Sequence, residues 1–191
     1  MEYLIIALGS YLLGSIPFGF ILTKVFLKKD IRDIGSGNIG ATNALRTGNR
    51  SLGYSTLVLD VTKAILPVIY VKFNYPDYIF IASLSAFLGH VFPIWLKFKG
   101  GKGVATYVGI LFSMNLILGL IFIISWAVTF LISKFSSLSS LVASLMVPAY
   151  LIIFENYNSI FFLIMFVLIF YTHRENIIRL KNKEESKTKI Y

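Results

Sequence analysis

The chain predicts an all-α, polytopic integral membrane protein with seven transmembrane helices, amino terminus outside and carboxyl terminus cytoplasmic, forming a single domain over 1–191. Three observations carry this. The 191 residues are 57% hydrophobic with a mean hydropathy of +0.77, too apolar for a domain that must show water a polar surface. The apolar residues come in long uncharged runs, close to the roughly 20 residues that a helix needs to cross the hydrocarbon core. The 18 lysines and arginines, against 9 acidic residues, gather in short loops and the tail, as the positive-inside rule demands of cytoplasmic segments.

Taken in order, the uncharged runs are 3–23, 78–96, 103–133, 135–154 and 156–172, and 51–71 is similar but carries Asp60 and Lys63. The run 103–133 has 31 residues, which as one helix is about 46 Å against a core of about 30 Å. It therefore predicts two helices, broken near Ser113, Met114 and Asn115. Lys28, Lys29, Arg32, Arg46 and Arg50 mark the first loop as cytoplasmic, and Lys97, Lys99 and Lys102 mark the third. Seven crossings then place Lys134 and the basic tail inside, with Lys72, Asp77 and Glu155 outside. Six crossings would export the tail. Asp60 and Lys63, three residues apart within a span, are expected to form a structural pair, because an unpaired charge there is costly.

Composition excludes several functions. The net charge of +9 sits beside the membrane, which suits anionic lipid headgroups around Lys181 to Lys189 and not a nucleic acid. The absence of cysteine removes disulfides, thiolate nucleophiles and cysteine-bound metal. Two histidines without a carboxylate cluster predict no metal site, and no cofactor is expected. The first helix lacks a basic leader and cleavage site and is expected to be a retained span. The oligomeric state is left open.

Three polar islands interrupt the apolar chain, all on the cytoplasmic side of this topology. Irregular backbone at membrane depth is tolerated only where protein buries it or a wet cavity receives it, so the islands are the places to look for chemistry. The first is GSGNIGATNALR, 35–46. Gly35, Gly37 and Gly40 allow positive φ, so that successive N–H groups could form an anion-binding nest. Ser36, Asn38, Thr42 and Asn43 add neutral hydrogen-bonding groups, and Arg46 a cationic fork suited to phosphate. The alternative is a polar hairpin between two spans.

The second island is GHVFPIWLKFKGGKG, 89–103. Gly100, Gly101, Lys102 and Gly103 open the next helix, placing its positive dipole end beside a lysine, a combination that favours phosphate. It is not a Walker A loop, because Gly103 stands at the Ser/Thr position and Leu96 where the first glycine belongs. Pro93 next to His90 is read as a kink in the span with a hydrogen-bonded structural histidine.

The third island is HRENIIRL, 173–180. His173, Asn176 and Arg179 recur every three residues and share one helix face, suited to hydrogen bonds with a polyol; the alternative is a basic stop-transfer flank. Between the islands, Ser137, Ser139 and Ser140 begin the sixth helix, either as caps and close-packing residues or as substrate contacts.

These motifs resemble the bacterial acyl-phosphate:glycerol-3-phosphate acyltransferase (PlsY) family. GSGNIGATN with the following Leu45 and Arg46, HxFPxxxxFKGGKG from His90, the SLSS segment and HxxNIxRL from His173 match the family pattern in order and spacing across essentially the whole chain; Lys134 departs where members often carry arginine. The resemblance implies transfer of an acyl group from acyl phosphate to the 1-hydroxyl of sn-glycerol 3-phosphate at the cytoplasmic face of the bacterial inner membrane. It gives Ser36 and Arg46 essential roles in the first motif, Lys102 the phosphate-binding loop, and His173 and Asn176 the glycerol phosphate, with Ser139 and Ser140 as further substrate contacts. Gly35, Gly37, Asn38, Asn43, Gly100, Gly101, Gly103 and Arg179 complete the expected binding set.

The His-x4-Asp dyad of acyl-CoA-dependent acyltransferases is absent, since Trp95 follows His90 and Ile178 follows His173 at that spacing. Direct transfer is therefore expected, and the resemblance implies that the donor phosphate serves as the base. A transporter would be signalled by an inverted repeat and polar groups at the midplane, but no repeat is visible and the islands crowd one face.

Overall fold

The structure is a computed structural model, and it describes residues 1–155 and 158–188. Among these residues all regular structure is helical. The expected start of the last span at Asn156, and Lys189 of the tail, lie outside the described residues.

The helices fall into two compact units, 1–114 and 115–191. The first contains α1 (Glu2–Gly14), α2 (Phe18–Leu27), the short α3 (Ala41–Leu45), the long α4 (Arg50–Asn74), α5 (Ile79–Val91) and α6 (Val104–Met114). Here α1 lies on α5, and α4 packs against α6, α5 and α1. Gly14 meets the Ala86 backbone and Gly89 the Tyr11 and Ser15 backbones, so α1 and α5 approach with no side chain between them. The second unit contains α7 (Leu116–Ser133), α8 (Ser136–Tyr150) with a π-turn at Leu151–Glu155, α9 (Ser159–Thr172) and α10 (Arg174–Lys181). In it α8 is the centre, packing on α7 and α9, and α10 turns away from α9 by 61°.

Most of the expected runs become helices close to the expected bounds. The run 103–133 breaks as expected: α6 ends at Met114, and Asn115 caps α7 by accepting the Ile117 N–H at 2.8 Å. The run 3–23, expected as one helix, is divided between α1 and α2 at the break before Phe18, and a second expectation needs correction. The span expected to reach residue 96 through a kink at Pro93 stops being α-helical at Val91, with a separate 3₁₀ turn at Ile94–Leu96. Proline disfavours the α region for the residue before it, and Phe92 accordingly sits at φ −125°, ψ 60°. Pro93 ends the helix; it does not bend it.

Among the described residues four helical stretches are long and apolar enough to cross a membrane, Glu2–Leu27, Pro76–Leu96, Leu116–Ser133 and Ser136–Phe154, and the bent α9–α10 pair makes up to five. Their outer faces are what lipid requires: Ile132 is 81% exposed, Ile160 73% and Phe154 72%. The protein is an all-helical integral membrane protein.

Candidate functional site

The expected site residues are divided between the two units, and each set has its own local architecture. In the first unit the loop carrying Ser36 is built around one side chain. Asn43, only 2% exposed, accepts the Ser36 N–H on Oδ1 at 2.9 Å and shares its amide hydrogens among the carbonyls of Ile31 (3.0 Å), Ile34 (2.8 Å) and Asn38 (2.8 Å). Upstream, the Asp30 carboxylate caps the turn Ile31–Asp33 and takes a hydrogen bond from the Arg32 side chain, which lowers its pKa to about 2. Beneath lies a small apolar cluster of Ile31, Ile39, Ala44 and Leu96.

Gly35 has φ +55°, and a Cβ there would run into Asn43 Oδ1 and the Arg46 side chain, which lies against it. Only glycine leaves Arg46 that path. The amide nest expected here is not formed: the Ser36, Gly37 and Gly40 N–H groups are taken by Asn43 Oδ1, the Ile34 carbonyl and Asn38 Oδ1. The reason is that Asn38 and Asn43 offer the loop its own acceptors. What the loop presents outward is the exposed Arg46 and the half-buried Ser36.

The second island folds back on the end of α5. The Gly100 N–H donates to the Val91 carbonyl and the Gly101 N–H to the His90 carbonyl, each at 3.0 Å. Lys97 and Phe98, both left-handed at φ 52° and 59°, make the reversal. The chain then enters α6 at Val104, so half-buried Lys102 and Gly103 stand directly before a helix start whose first N–H groups have no preceding turn. Gly101 lies so close to the His90 ring that a Cβ would overlap Nε2. His90 is 3% exposed, as expected of a structural histidine, but its Nδ1 makes no hydrogen bond among the described residues. That atom lies 3.8 Å from Asp60 Oδ1, and Asp60 pairs with Lys63 at 2.8 Å, as expected.

In the second unit α8 begins with a row of buried serines. The Ser139 hydroxyl donates to the Phe135 carbonyl at 2.8 Å, and the Ser140 hydroxyl to the Ser136 carbonyl at 2.9 Å while receiving the Trp126 indole N–H at 3.2 Å. The carbonyl bonds are close-packing bonds of α8 itself, and the indole bond ties α8 to α7. His173 forms the α9–α10 joint and is 2% exposed, with Nδ1 2.8 Å from the Ile169 carbonyl. A carbonyl only accepts, so Nδ1 carries the hydrogen and Nε2 is the acceptor of the neutral ring.

Asn176 and Arg179 do share one face, and what they share it for is Glu185. That carboxylate receives Asn176 Nδ2 at 2.7 Å, Arg179 Nε at 2.8 Å and the Ser137 hydroxyl at 2.7 Å. Burial pushes its pKa up, but the hydrogen bonds from Arg179, Ser137 and Asn176 together outweigh burial and hold it below the ordinary carboxylate value. The tail is fastened again where the Thr188 N–H meets the Lys134 carbonyl at 2.9 Å. Sequence reasoning missed Glu185. Its only signal is an acidic pair within a basic tail, which by itself reads as solvated. Arg174 and Glu175 point to solvent, and Arg174 covers the Tyr171 ring at 4.7 Å.

Comparison with known proteins places the chain in a family. The family model described as glycerol-3-phosphate acyltransferase matches residues 4–183. A glycerol-3-phosphate acyltransferase of Pelagibacter ubique (strain HTCC1062) is 88% identical over 191 residues, covering 100% of both chains. The crystal structure of PlsY (YgiH), an integral membrane glycerol 3-phosphate acyltransferase, superposes in its glycerol 3-phosphate form with a TM-score of 0.92 at 32% identity, covering 98% of this chain and 96% of that one. Its lysophosphatidic acid form gives a TM-score of 0.89 at the same identity. On both sequence and structure, this chain belongs to the glycerol-3-phosphate acyltransferase family.

Proposed function

We propose that the protein transfers a fatty acyl group from acyl phosphate to the 1-hydroxyl of sn-glycerol 3-phosphate, releasing lysophosphatidic acid and inorganic phosphate. The observation that carries this reading is the pair of cation-bearing loops, Arg46 laid over Gly35 and Lys102 before α6, in a chain whose family acts on glycerol 3-phosphate. Both substrates of the proposed reaction bear phosphate. Holding two anions together, with their repulsion cancelled by fixed cations, is most of the work when the donor is already a mixed anhydride.

In the proposed step the glycerol 1-hydroxyl oxygen attacks the acyl carbonyl carbon, the bond from that carbon to the phosphate oxygen breaks, and the departing phosphate takes the hydroxyl proton. Ser36, Arg46 and Lys102 bind and neutralise phosphate, with Gly35, Gly37, Asn38, Asn43, Gly100, Gly101 and Gly103 shaping the two loops. His173, Asn176 and Arg179 orient the glycerol phosphate, and Ser139 and Ser140 line the approach. Direct transfer is favoured because the Ser139 and Ser140 hydroxyls are committed to backbone carbonyls, and His173 Nδ1 to the Ile169 carbonyl.

The reading treats 1–191 as one acyltransferase domain, since the family model runs through both compact units. It has seven crossings of the bacterial inner membrane, amino terminus outside and active site cytoplasmic, on the distribution of lysine and arginine. At 11 residues α6 covers about 16 Å, roughly half the core, so this topology sets the Gly100–Gly103 loop within the membrane margin, where its backbone must be held by protein.

The test is purified protein with acyl phosphate and glycerol 3-phosphate. Lysophosphatidic acid and phosphate should form in equal amounts, steady-state lines should intersect, and labelled donor without acceptor should leave no acylated protein. Robust transfer from acyl-CoA, parallel lines, or a stable adduct on Ser36, Ser139 or Ser140 overturns the scheme.

A further inference from the structure

Midway along α4, which the proposed topology makes a membrane span, lies a charged group that the proposed reaction does not use. Asp60 and Lys63 are 2% and 4% exposed and pair at 2.8 Å. Lys63 Nζ also donates to the Ile16 carbonyl at 2.6 Å, in the break between α1 and α2, and stands 5.7 Å from the centre of the Phe18 ring. The same Asp60 oxygen lies 3.8 Å from His90 Nδ1.

Stability is a weak explanation for such a group. Buried ion pairs commonly contribute no more than well-packed apolar side chains of the same volume, and ionisable residues inside a membrane span usually mark function. What distinguishes this pair is its neighbour. The His90 ring is the surface on which Gly101 rests, and the His90 carbonyl accepts the Gly101 N–H at 3.0 Å. A continuous series of contacts therefore runs from Ile16 through Lys63, Asp60 and His90 to the residue preceding Lys102.

We propose that Asp60 and His90 are positioning residues for the Gly100–Gly103 loop. Lys63, tied to α4 and to the α1–α2 break, holds the Asp60 carboxylate; the carboxylate fixes the His90 ring; and the ring together with its own carbonyl sets Gly101, so that Lys102 and the first turn of α6 face phosphate without reorganising. A charged group suits this task because its energy depends on where its few partners lie. The proposal rests on the reading of Gly100–Gly103 as a phosphate-binding loop.

The test uses the full-length protein with acyl phosphate and glycerol 3-phosphate, and compares D60L/K63M, His90→Phe, Lys102→Ala and the combination of each with Lys102→Ala. D60L/K63M removes both charges together and leaves neither buried alone; His90→Phe keeps the ring surface but loses Nδ1. Lys102→Ala is expected to raise KM for one of the two phosphate substrates. D60L/K63M and His90→Phe should raise the same KM severalfold, as expected for losing a close electrostatic contact at 3.8 Å, with the melting temperature kept and with little further loss on a Lys102→Ala background. If D60L/K63M does not fold, His90→Phe decides the matter alone. A folded His90→Phe with unchanged KM, or losses that simply add to that of Lys102→Ala, overturns the positioning role while leaving the loop reading intact. Unchanged KM values in Lys102→Ala overturn the loop reading and the proposal with it.

Discussion

Glu185 Oε1 accepts a hydrogen bond from Asn176 Nδ2 at 2.7 Å, across nine residues of chain. The same carboxylate binds Arg179 and Ser137, so the tail returns to α10 and to the start of α8 and holds them together. Glu185→Ala takes one acceptor from the buried Asn176 amide and leaves the Ser137 hydroxyl without this acceptor. Leaving buried donors unpaired costs about 1–3 kcal/mol. A lower melting temperature in detergent, with glycerol 3-phosphate turnover reduced in step, is the expected result; an unchanged melt would show that water replaces the carboxylate without cost.

The lowered pKa of Glu185 gives that contact a pH dependence. A carboxylate more acidic when folded than its ordinary value of 4.5 contributes stability that is fully present above that value, and the contribution is lost as pH falls through the lower folded pKa. The difference in melting temperature between wild type and Glu185→Gln should therefore be flat from neutral pH down to about pH 5 and shrink below it. A difference that instead grows with acidification contradicts the assignment of the contact to the ionised carboxylate.

Gly35 and Arg46 predict a matched pair of defects. Gly35→Ala places a methyl group at φ +55° against Arg46 and Asn43, so the guanidinium must move although the charge remains. Arg46→Lys keeps the charge in place but loses the fork. Each should lower kcat/KM substantially, and Arg46→Ala or Lys102→Ala by about a hundred- to thousandfold, the usual loss for one preorganised stabilising group. Near-normal turnover in Arg46→Lys would show that net charge alone matters.

The topology is testable without background, because the chain has no cysteine. Single cysteines at the exposed positions Lys29 and Lys181 should resist an impermeant thiol reagent applied outside intact cells, and Asp77→Cys should react. Outside labelling at position 181 would remove the seven-crossing arrangement.

The sequence alone determined the class of the protein and where to look for its chemistry. Membrane spans are written in composition and length, because lipid offers no partner to a backbone and helices must satisfy their own hydrogen bonds. The break at Asn115 was legible for the same local reason: an uncharged run too long for one crossing, with a capping asparagine at its middle. The polar islands stood out against that apolar background, and their motifs carried the family. What only the tertiary structure decided were the partners. Asn43 as the hub of its loop, Asp60 beneath His90, Pro93 as a helix end and Glu185 on the face of Asn176 and Arg179 join residues 5 or more positions apart or depend on a local backbone choice. A side chain's hydrogen-bond partners are set by which distant segment folds onto it, and periodicity within a helix carries no record of that.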